Sequence, residues 1–301
     1  MWSHRILLFL CVVGSTQAQQ GVQTIEMSMM PGVVDDQYIG CTEEMERIAP
    51  KLLEMEKKNS GALKSAWEKT GPQWEEVKKD PSVHLPKGFK ENHGKAVIAY
   101  TDTSLAVLFN RAVREMGASP STYKSFPFKA FHYYLTRALQ LLKKSCSVTH
   151  GREVYRGISN IIFIHNPPAP VRFGQVASSS LKKNVAEGFG QHTFFTIRTC
   201  FGVNITGFSL EPWQEEVLIP SQEKFSVSRR DDRKNSFILR STNRTCSHFN
   251  CVYLGREKNE KCIERSGGRR GITFPHHMSP LLFGASILLA NAAALTLFGA
   301  H

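Results

Sequence analysis

The stretch WQEEVLIP (residues 213–220) places two adjacent carboxylates before a run of three branched aliphatic residues. The aliphatic run and the proline after it predict a buried β-strand and its end. Strand side chains alternate between two faces, so one glutamate can face solvent while the other points to where water is scarce. Because an unpaired buried carboxylate is costly, we expect the buried glutamate to complete a structural hydrogen-bond network or to take part in chemistry.

The chain around this stretch changes texture after Cys146. The first half predicts helices in CTEEMERIAPKLLEMEKK (41–58), TSLAVLFNRAVREM (103–116) and FPFKAFHYYLTRALQLLKK (126–144). The second half predicts short strands in EVYRGI (153–158), NIIFIH (160–165), VRFGQVASSSL (171–181), TFFTIRTC (193–200), EEVLIP (215–220), KFSVS (224–228) and NSFILRST (235–242). A helical N-terminal half followed by a β-rich core predicts an α+β fold with a mixed or antiparallel sheet.

A stripe of apolar residues at helical spacing runs along the third of these helices and predicts the face that meets the core. Its members are Phe128, Phe131, Leu135, Ala138, Leu139 and Leu142.

Both chain ends have the features of processing signals. Residues 1–18 combine a basic start, a short apolar core and small residues up to Ala18, which predicts a secretory signal peptide. At the other end, the small residues Ser266, Gly267 and Gly268 precede a polar spacer and an uncharged tail (281–300). This order predicts a glycosylphosphatidylinositol (GPI) anchor on Ser266, with residues 267–301 removed and 19–266 forming one catalytic domain. The alternative, a tail-anchored membrane helix, explains neither the signal peptide nor the small triplet.

Cysteines and sequons are consistent with export. Of seven cysteines, Cys11 lies in the signal peptide, and the even number that remains predicts disulfides in an oxidising compartment. Their spacing fits no tight metal knuckle, so we expect no zinc site. The sequons at Asn204 and Asn243 predict N-glycosylation on an extracellular surface.

The formal net charge of +12 would be compatible with nucleic acid binding. However, basic residues are interleaved with acids, as in SRRDDRK (228–234), and the chain is predicted to be exported. We therefore expect no nucleic acid partner, but a basic surface that meets anionic cell surfaces or attracts an anionic small substrate.

Three positions in the β-rich half are candidates for one site. Arg156 precedes Gly157, where the backbone can approach a ligand closely; a serine cluster includes Ser178; and Glu216 begins the strand of the opening stretch. Each feature alone is weak, since such residues are common on surfaces and in turns. A Rossmann glycine fingerprint is absent from the sequence, so any nucleotide must be held in another way.

Taken together, and in this order, these residues resemble the Arg-Ser-Glu signature of the vertebrate ecto-mono-ADP-ribosyltransferases, a family with related bacterial toxins. The resemblance covers nearly the whole chain. It also includes DDQYIGC (35–41), AYT (99–101), FHYYLTRALQLL (131–142), RFGQVASSSL (172–181) and EVLIP (216–220), together with both end signals. The resemblance implies a GPI-anchored enzyme of the ADP-ribosyltransferase fold that cleaves the nicotinamide–ribose bond of NAD, or NADP, and delivers ADP-ribose to protein arginines.

The same resemblance implies roles for individual residues. Glu216 would stabilise the positive charge that develops on the ribose, Arg156 would grip the phosphate side of NAD, and Ser178 would orient the glutamate. Tyr100, Gly157, Gln175 and Ser209 would lie near the dinucleotide. NAD is a substrate here and no metal is expected, because nicotinamide leaves as a neutral molecule.

One position departs from the family pattern. Arginine-modifying members carry Glu-x-Glu, whereas this chain has Gln214 two residues before Glu216. An amide brings no charge to an acceptor guanidinium, so we expect weakened arginine transfer and raised NAD hydrolysis. The alternatives are therefore a predominant NAD glycohydrolase or a catalytically weak cell-surface antigen.

The resemblance also implies two disulfides, Cys41 with Cys251 and Cys146 with Cys200. It leaves open whether Cys246 and Cys262 pair with each other or remain free.

Overall fold

The computed structural model describes residues 21–230 and 233–267, so the predicted signal peptide and most of the predicted anchor signal lie outside it. The helices are α1 (Thr42–Asn59), α2 (Gly61–Glu68), α3 (Thr70–Lys79), α4 (Glu91–Tyr100), α5 (Thr103–Glu115), α6 (Pro120–Lys124), α7 (Lys129–Leu142), α8 (Cys146–Thr149) and α9 (Lys183–Gly188). The strands are β1 (Gln23–Glu26), β2 (Val154–Ile158), β3 (Ile161–Ile164), β4 (Ala177–Ser180), β5 (Thr193–Arg198), β6 (Val203–Asn204), β7 (Glu216–Ile219), β8 (Glu223–Arg229), β9 (Ser236–Ser247) and β10 (Ile263–Ser266). The predicted α+β class is confirmed.

The strands form one large mixed sheet and one small sheet. The order in the large sheet is β10-β9-β5-β2-β4-β7-β6, with β8 also paired to β9, and β1 pairs with β3 in the small sheet. Neighbours in the large sheet run antiparallel except for β5 and β9, which run parallel. Each predicted strand stretch contains a strand, whereas β1, β6 and β10 were not predicted. The strand β6 has only two residues, which is too short for a periodic pattern.

The helical half packs around α7. The predicted apolar stripe on α7 is confirmed: Phe128, Phe131, Leu135, Ala138 and Leu139 are buried, and Leu142 is half-buried. The carboxylate of Glu56 on α1 accepts hydrogen bonds from the backbone N–H groups of Ala130 (2.7 Å) and Phe131 (3.1 Å). A charge-bearing acceptor at the N-terminus of α7 thereby satisfies donors that the helix itself leaves open.

The DDQYIGC stretch joins the N-terminal segment to the loop after β9. Asp35 is fully buried, and its carboxylate binds the Arg172 guanidinium (2.8 Å) and the backbone N–H groups of His248 and Phe249. The carboxylate of Asp36 accepts from the backbone of Cys251 and Val252. Both acids of this stretch are therefore structural.

Disulfides add covalent links, and the bridge of Cys41 with Cys251 reinforces the connection just described. The structure joins Cys41 with Cys251 and Cys146 with Cys200, and it also joins Cys246 with Cys262, the pair that the sequence left open. Each bridge restricts the unfolded chain, an effect typically worth about 2–4 kcal/mol that the chain-entropy account expects to grow with the length of the closed loop. Across the part of the chain that the structure describes, no helix has the length and apolar character needed to cross a membrane.

Candidate active site

Three neighbouring strands bring the candidate residues together. In the large sheet β4 lies between β2 and β7, with Tyr155 opposite Ser180 and Ser180 opposite Glu216. Arg156, next to Tyr155, donates a hydrogen bond from its guanidinium to the carbonyl oxygen of Ser178. Arg156 and Glu216, 60 positions apart in sequence, thus come near each other because β4 pairs with both of the strands that carry them.

Glu216, the first residue of β7, is 7% exposed. Burial raises the pKa of Glu216 above its ordinary value, because water no longer solvates the charged form. A hydrogen bond from the Ser178 side chain and the positive charge of Arg156 act in the opposite direction and favour the carboxylate. The two neighbours therefore support a negative charge where burial disfavours one.

Glu215 and Glu216 separate for a different reason from the one expected. Strand alternation does not separate the two side chains, because β7 begins only at Glu216. Glu215 precedes the strand and has a left-handed backbone conformation, with φ +44°, after a short 3-10 turn (Pro212–Gln214). The Glu215 side chain, 37% exposed, pairs with the Lys182 ammonium at 2.9 Å. The backbone turn thus sends one carboxylate towards solvent and a lysine, and leaves the other buried.

A cleft of about 480 Å³ lies between the helices α4, α5 and α9 and the strands β2, β4 and β7. It is lined by Glu216, Arg156 and Ser178. Tyr100, Gly157, Gln175 and Gln214 line it too. Pockets that hold small molecules and cofactors in proteins have about this volume.

Gly157 is required by packing. A Cβ added there would lie 2.1 Å from the carbonyl oxygen of Ala186 and 2.3 Å from that of Gly190. The sequence suggested a glycine that lets the backbone approach a ligand; the contact that excludes a side chain is instead with α9 and the turn after it. Gly157 nevertheless also lines the cleft.

Of the expected dinucleotide contacts, Tyr100 and Gln175 reach the cleft and Ser209 does not. The Tyr100 hydroxyl donates to the carbonyl oxygen of Val176 at 2.8 Å, and burial raises the pKa of Tyr100 to about 12, so the side chain stays neutral. Ser209 is 2% exposed, and its hydroxyl accepts from the backbone N–H of Glu211 at 3.0 Å. Ser209 therefore stabilises the loop before β7.

Gln214 is half-buried at the edge of the cleft, and the end of β4 holds its backbone. The Ser180 hydroxyl donates to the Gln214 carbonyl oxygen at 2.6 Å and accepts from the Lys182 N–H at 2.9 Å. The backbone N–H of Leu181 donates to the carbonyl oxygen of Glu215 at 3.1 Å. The backbone position of Gln214 is thus set by the strand that also carries Ser178.

The cleft residues that were not identified from the sequence include Asn110, Arg114 and Phe189. Asn110 donates from its amide nitrogen to the Tyr100 hydroxyl at 2.8 Å, while its amide oxygen is buried without a protein partner among the described residues. The Arg114 guanidinium donates to the side-chain oxygen of Gln175. Polar residues one helical turn apart are common on surface helices, so no sequence signal marked this pair.

Among the described residues, one cluster brings metal-ligating atoms within 4.8 Å of one another: Cys146, His150 and Cys200. Because the two sulfurs are bonded to each other, neither is available as a thiolate.

Known proteins share this architecture. A family profile described as NAD:arginine ADP-ribosyltransferase matches residues 27–247. Ecto-ADP-ribosyltransferase 5 of Bos taurus is 43% identical over 280 residues, which are 90% of this chain and 88% of that protein. T-cell ecto-ADP-ribosyltransferase 2 of Mus musculus is 46% identical over 236 residues, 76% of this chain and 78% of that protein.

Among solved structures, the eucaryotic mono-ADP-ribosyltransferase ART2.2 superposes with a TM-score of 0.67 at 44% identity, covering 76% of this chain and 99% of that one. A glutamate variant of that transferase was crystallised in complex with NAD. The family profile and the two relatives each cover most of the chain. The chain therefore belongs to the NAD:arginine ADP-ribosyltransferase family and is an NAD-dependent mono-ADP-ribosyltransferase.

Proposed function

We propose that this chain cleaves the nicotinamide–ribose bond of NAD at the outer cell surface and transfers ADP-ribose to arginine side chains of extracellular or cell-surface proteins. The observation that carries the proposal is the buried Glu216 carboxyl group, supported by Ser178 and Arg156 on the floor of a cleft. Arg156, Ser178 and Glu216 are the proposed catalytic residues.

The chemistry requires a negative charge beside the ribose. Nicotinamide takes the bonding electron pair and leaves as a neutral molecule, so positive charge develops on the sugar. A fixed carboxylate with few competing waters stabilises that charge more strongly than it stabilises bound NAD. The attacking acceptor nitrogen then forms the new bond to the ribose carbon and loses a proton.

Cationic and polar groups around Glu216 suit the rest of NAD, or NADP. Arg156 and Arg114 supply two guanidinium groups to the cleft for the pyrophosphate, which planar donor forks bind well. Tyr100, Gly157 and Gln175 are proposed contacts of the dinucleotide. Ser209 contributes to this site only through the loop that it stabilises.

We propose that the protein is exported because both ends of the sequence have the features of processing signals. The disulfides support this proposal. The disulfides joining Cys41 with Cys251 and Cys146 with Cys200 are typical of an oxidising compartment. Relatives named as ecto-ADP-ribosyltransferases are consistent with a cell-surface location. We assign residues 1–18 to a signal peptide, 19–266 to the catalytic domain and 267–301 to the GPI signal, with Ser266, the last residue of β10, as the attachment site.

The proposal is tested by nicotinamide release from NAD by the secreted domain, with and without the arginine analogue agmatine. We expect release in both conditions, labelled agmatine in the second, and loss of both activities in Glu216→Ala. A folded wild-type protein that releases no nicotinamide and labels no acceptor would contradict an enzymatic role and support a surface antigen.

Gln214 supports a second candidate, a predominant NAD glycohydrolase. A carboxylate at this position could pair with an acceptor guanidinium, a contact worth at most ~4 kcal/mol at an effective dielectric of about 20 before desolvation is subtracted. Gln214 carries no charge, and a net loss of ~2 kcal/mol would shift the partition towards water roughly thirtyfold. Water would then accept most of the ADP-ribose.

The substitution Gln214→Glu separates the two candidates. We expect the ratio of agmatine labelling to ADP-ribose release to rise roughly thirtyfold while total nicotinamide release stays similar. Gln214→Ala serves as the matched control, because it changes the side chain without adding charge. An unchanged ratio in Gln214→Glu would show that this position does not set the partition.

A further inference from the structure

The two sequons of the chain lie in different surroundings. Asn204 is exposed at the end of β6, and its side-chain oxygen accepts hydrogen bonds from the backbone N–H (2.9 Å) and hydroxyl (2.7 Å) of Thr206. This turn uses the oxygen of the amide and not its nitrogen, which is the atom that carries an N-linked glycan. The folded protein can therefore carry a sugar on Asn204 without losing a contact.

Asn243 lies within β9 and is packed. Its side-chain oxygen is buried without a hydrogen-bond partner among the described residues. The hydroxyl of Thr245, the third residue of this sequon, is also buried and donates to the Gln37 side chain at 3.1 Å. Asn243 and Thr245 are therefore less exposed in the fold than Asn204 and Thr206.

A groove of about 900 Å³ begins at Asn204, and both Asn204 and Thr206 line it. Val203, Phe208 and Val217, all buried, also line it, and Val148 on α8 contributes a side chain that is 57% exposed. Polar residues such as Gln73 and His84 also line it. Apolar surface beside scattered polar groups suits a sugar, which presents both C–H faces and hydroxyl groups.

The groove also lies along an open sheet edge. β6 has two residues and is the last strand of the large sheet, paired to β7 through Asn204 opposite Val217. Open edges expose backbone groups that can pair with other chains, and proteins usually cover or shorten them. The backbone N–H of Ile205 donates to the carbonyl oxygen of Glu216 at 2.9 Å, so this edge adjoins the proposed catalytic residue.

We propose that Asn204, and not Asn243, carries an N-linked glycan whose first sugars lie in this groove and cover the β6 edge. The inference rests on the proposed export, since the donor is a lipid-linked oligosaccharide pyrophosphate of the secretory pathway. The Asn204 amide nitrogen bonds to C1 of the first N-acetylglucosamine and loses a proton, while the C1–O bond to the lipid pyrophosphate breaks. The docked sugars bridge the helical half, through the 73–84 region, and the edge of the sheet.

The test uses the full-length chain expressed in mammalian cells. Peptide mapping should find glycan at Asn204 and none at Asn243, and Asn204→Gln should lose one glycan in mass while Asn243→Gln loses none. Glycan at Asn243 in folded protein, or a bare Asn204, would overturn the assignment. Nicotinamide release by the same samples reports separately on the proposed enzymatic function.

Docking is tested on the wild-type protein purified from the same cells, so the test does not depend on a variant that folds. Trimming the glycan to a single sugar should lower Tm by about 2–4 °C and speed amide hydrogen exchange in residues 80–84 and 203–208. Mock-treated protein is the control. Unchanged Tm and exchange after trimming would show that the sugars extend into solvent and leave the groove empty.

Discussion

Asp35 and Glu216 are two buried carboxylates with opposite surroundings. Asp35 is 0% exposed, and its oxygens bind the Arg172 guanidinium and two backbone N–H groups. Glu216 is 7% exposed, lines an open cleft, and has a hydrogen bond from the Ser178 side chain and the nearby charge of Arg156. The first carboxylate has its partners within the protein, and the second keeps room for a ligand.

The comparison shows that burial alone does not distinguish a structural charged side chain from a functional one. A buried charge whose hydrogen bonds are complete stabilises the fold, and removing one partner leaves the others unpaired. A buried charge that borders a cavity is stabilised less well by the protein, and it is available to stabilise charge on a substrate. The two regions should therefore respond in opposite ways to the same kinds of substitution.

The largest expected effect is on stability. Arg172→Met would remove donors to Asp35 and to the carbonyl oxygens of Met29, Met30 and Cys246. Breaking such a buried pair costs about 3–5 kcal/mol, which lowers Tm by roughly 6–20 °C for a domain of this size. Differential scanning calorimetry measures the change.

The matched control is Arg198→Met, which removes a partly exposed pair with Glu153 (3.1 Å). Surface pairs contribute about 0–1 kcal/mol, so Tm should fall little. Equal losses in the two variants would contradict the distinction between complete and solvent-exposed pairing.

The next effect is on activity. Glu216→Gln should lower NAD turnover by about 10²–10³-fold, the range seen when one preorganised group for a transition-state charge is removed. Because burial raises the pKa of Glu216, the ionised side chain destabilises the fold at neutral pH, and the amide should leave Tm unchanged or higher. Nicotinamide release and calorimetry on one sample measure both quantities.

Asp35→Asn is the reciprocal variant and should lower Tm with little direct effect on turnover in the fraction that stays folded. If Glu216→Gln lowered Tm while Asp35→Asn lowered turnover, the roles assigned to the two carboxylates would be reversed.

The smallest expected effect is a shift in pH dependence. The Ser178 side chain lowers the pKa of Glu216 through its hydrogen bond, so Ser178→Ala should raise that pKa further. Activity requires the carboxylate and falls as pH drops through this pKa, so the acid limb of the kcat/KM profile should begin at higher pH in the variant. Ser179→Ala is the control, because the Ser179 hydroxyl donates to the Val217 carbonyl oxygen. An acid limb at the same pH in Ser178→Ala would contradict the role of this hydrogen bond.

The sequence indicated the main elements because their patterns are long and periodic. The apolar stripe of α7 and the β-branched runs of β5 and β9 have enough residues to fix period and face. The two-residue strand β6 is too short to show such a pattern. Asn110 and Arg114 look like ordinary surface residues of a helix in the sequence, and only the fold shows that they line the cleft.

For the candidate site, the sequence supplied residue types and their order, and the resemblance supplied expected roles. Distances across the sheet are set by strand pairing, which a single sequence does not encode locally, so only the fold decided that Tyr100 and Gln175 reach the cleft and Ser209 does not. The surroundings of Gly157 likewise depend on α9 packing against β2.

By itself the sequence determined the α+β class, the candidate trio of Arg156, Ser178 and Glu216, and the amide at position 214, because composition, periodicity and residue identity are local properties. Tertiary structure decided which buried acid is structural and which borders a cleft. Burial and hydrogen-bond partners come from segments far apart in the chain. Asp35 meets its partners from residues 172 and 248–249, whereas Glu216 lies beside Ser178 and Arg156 and also borders an open cleft.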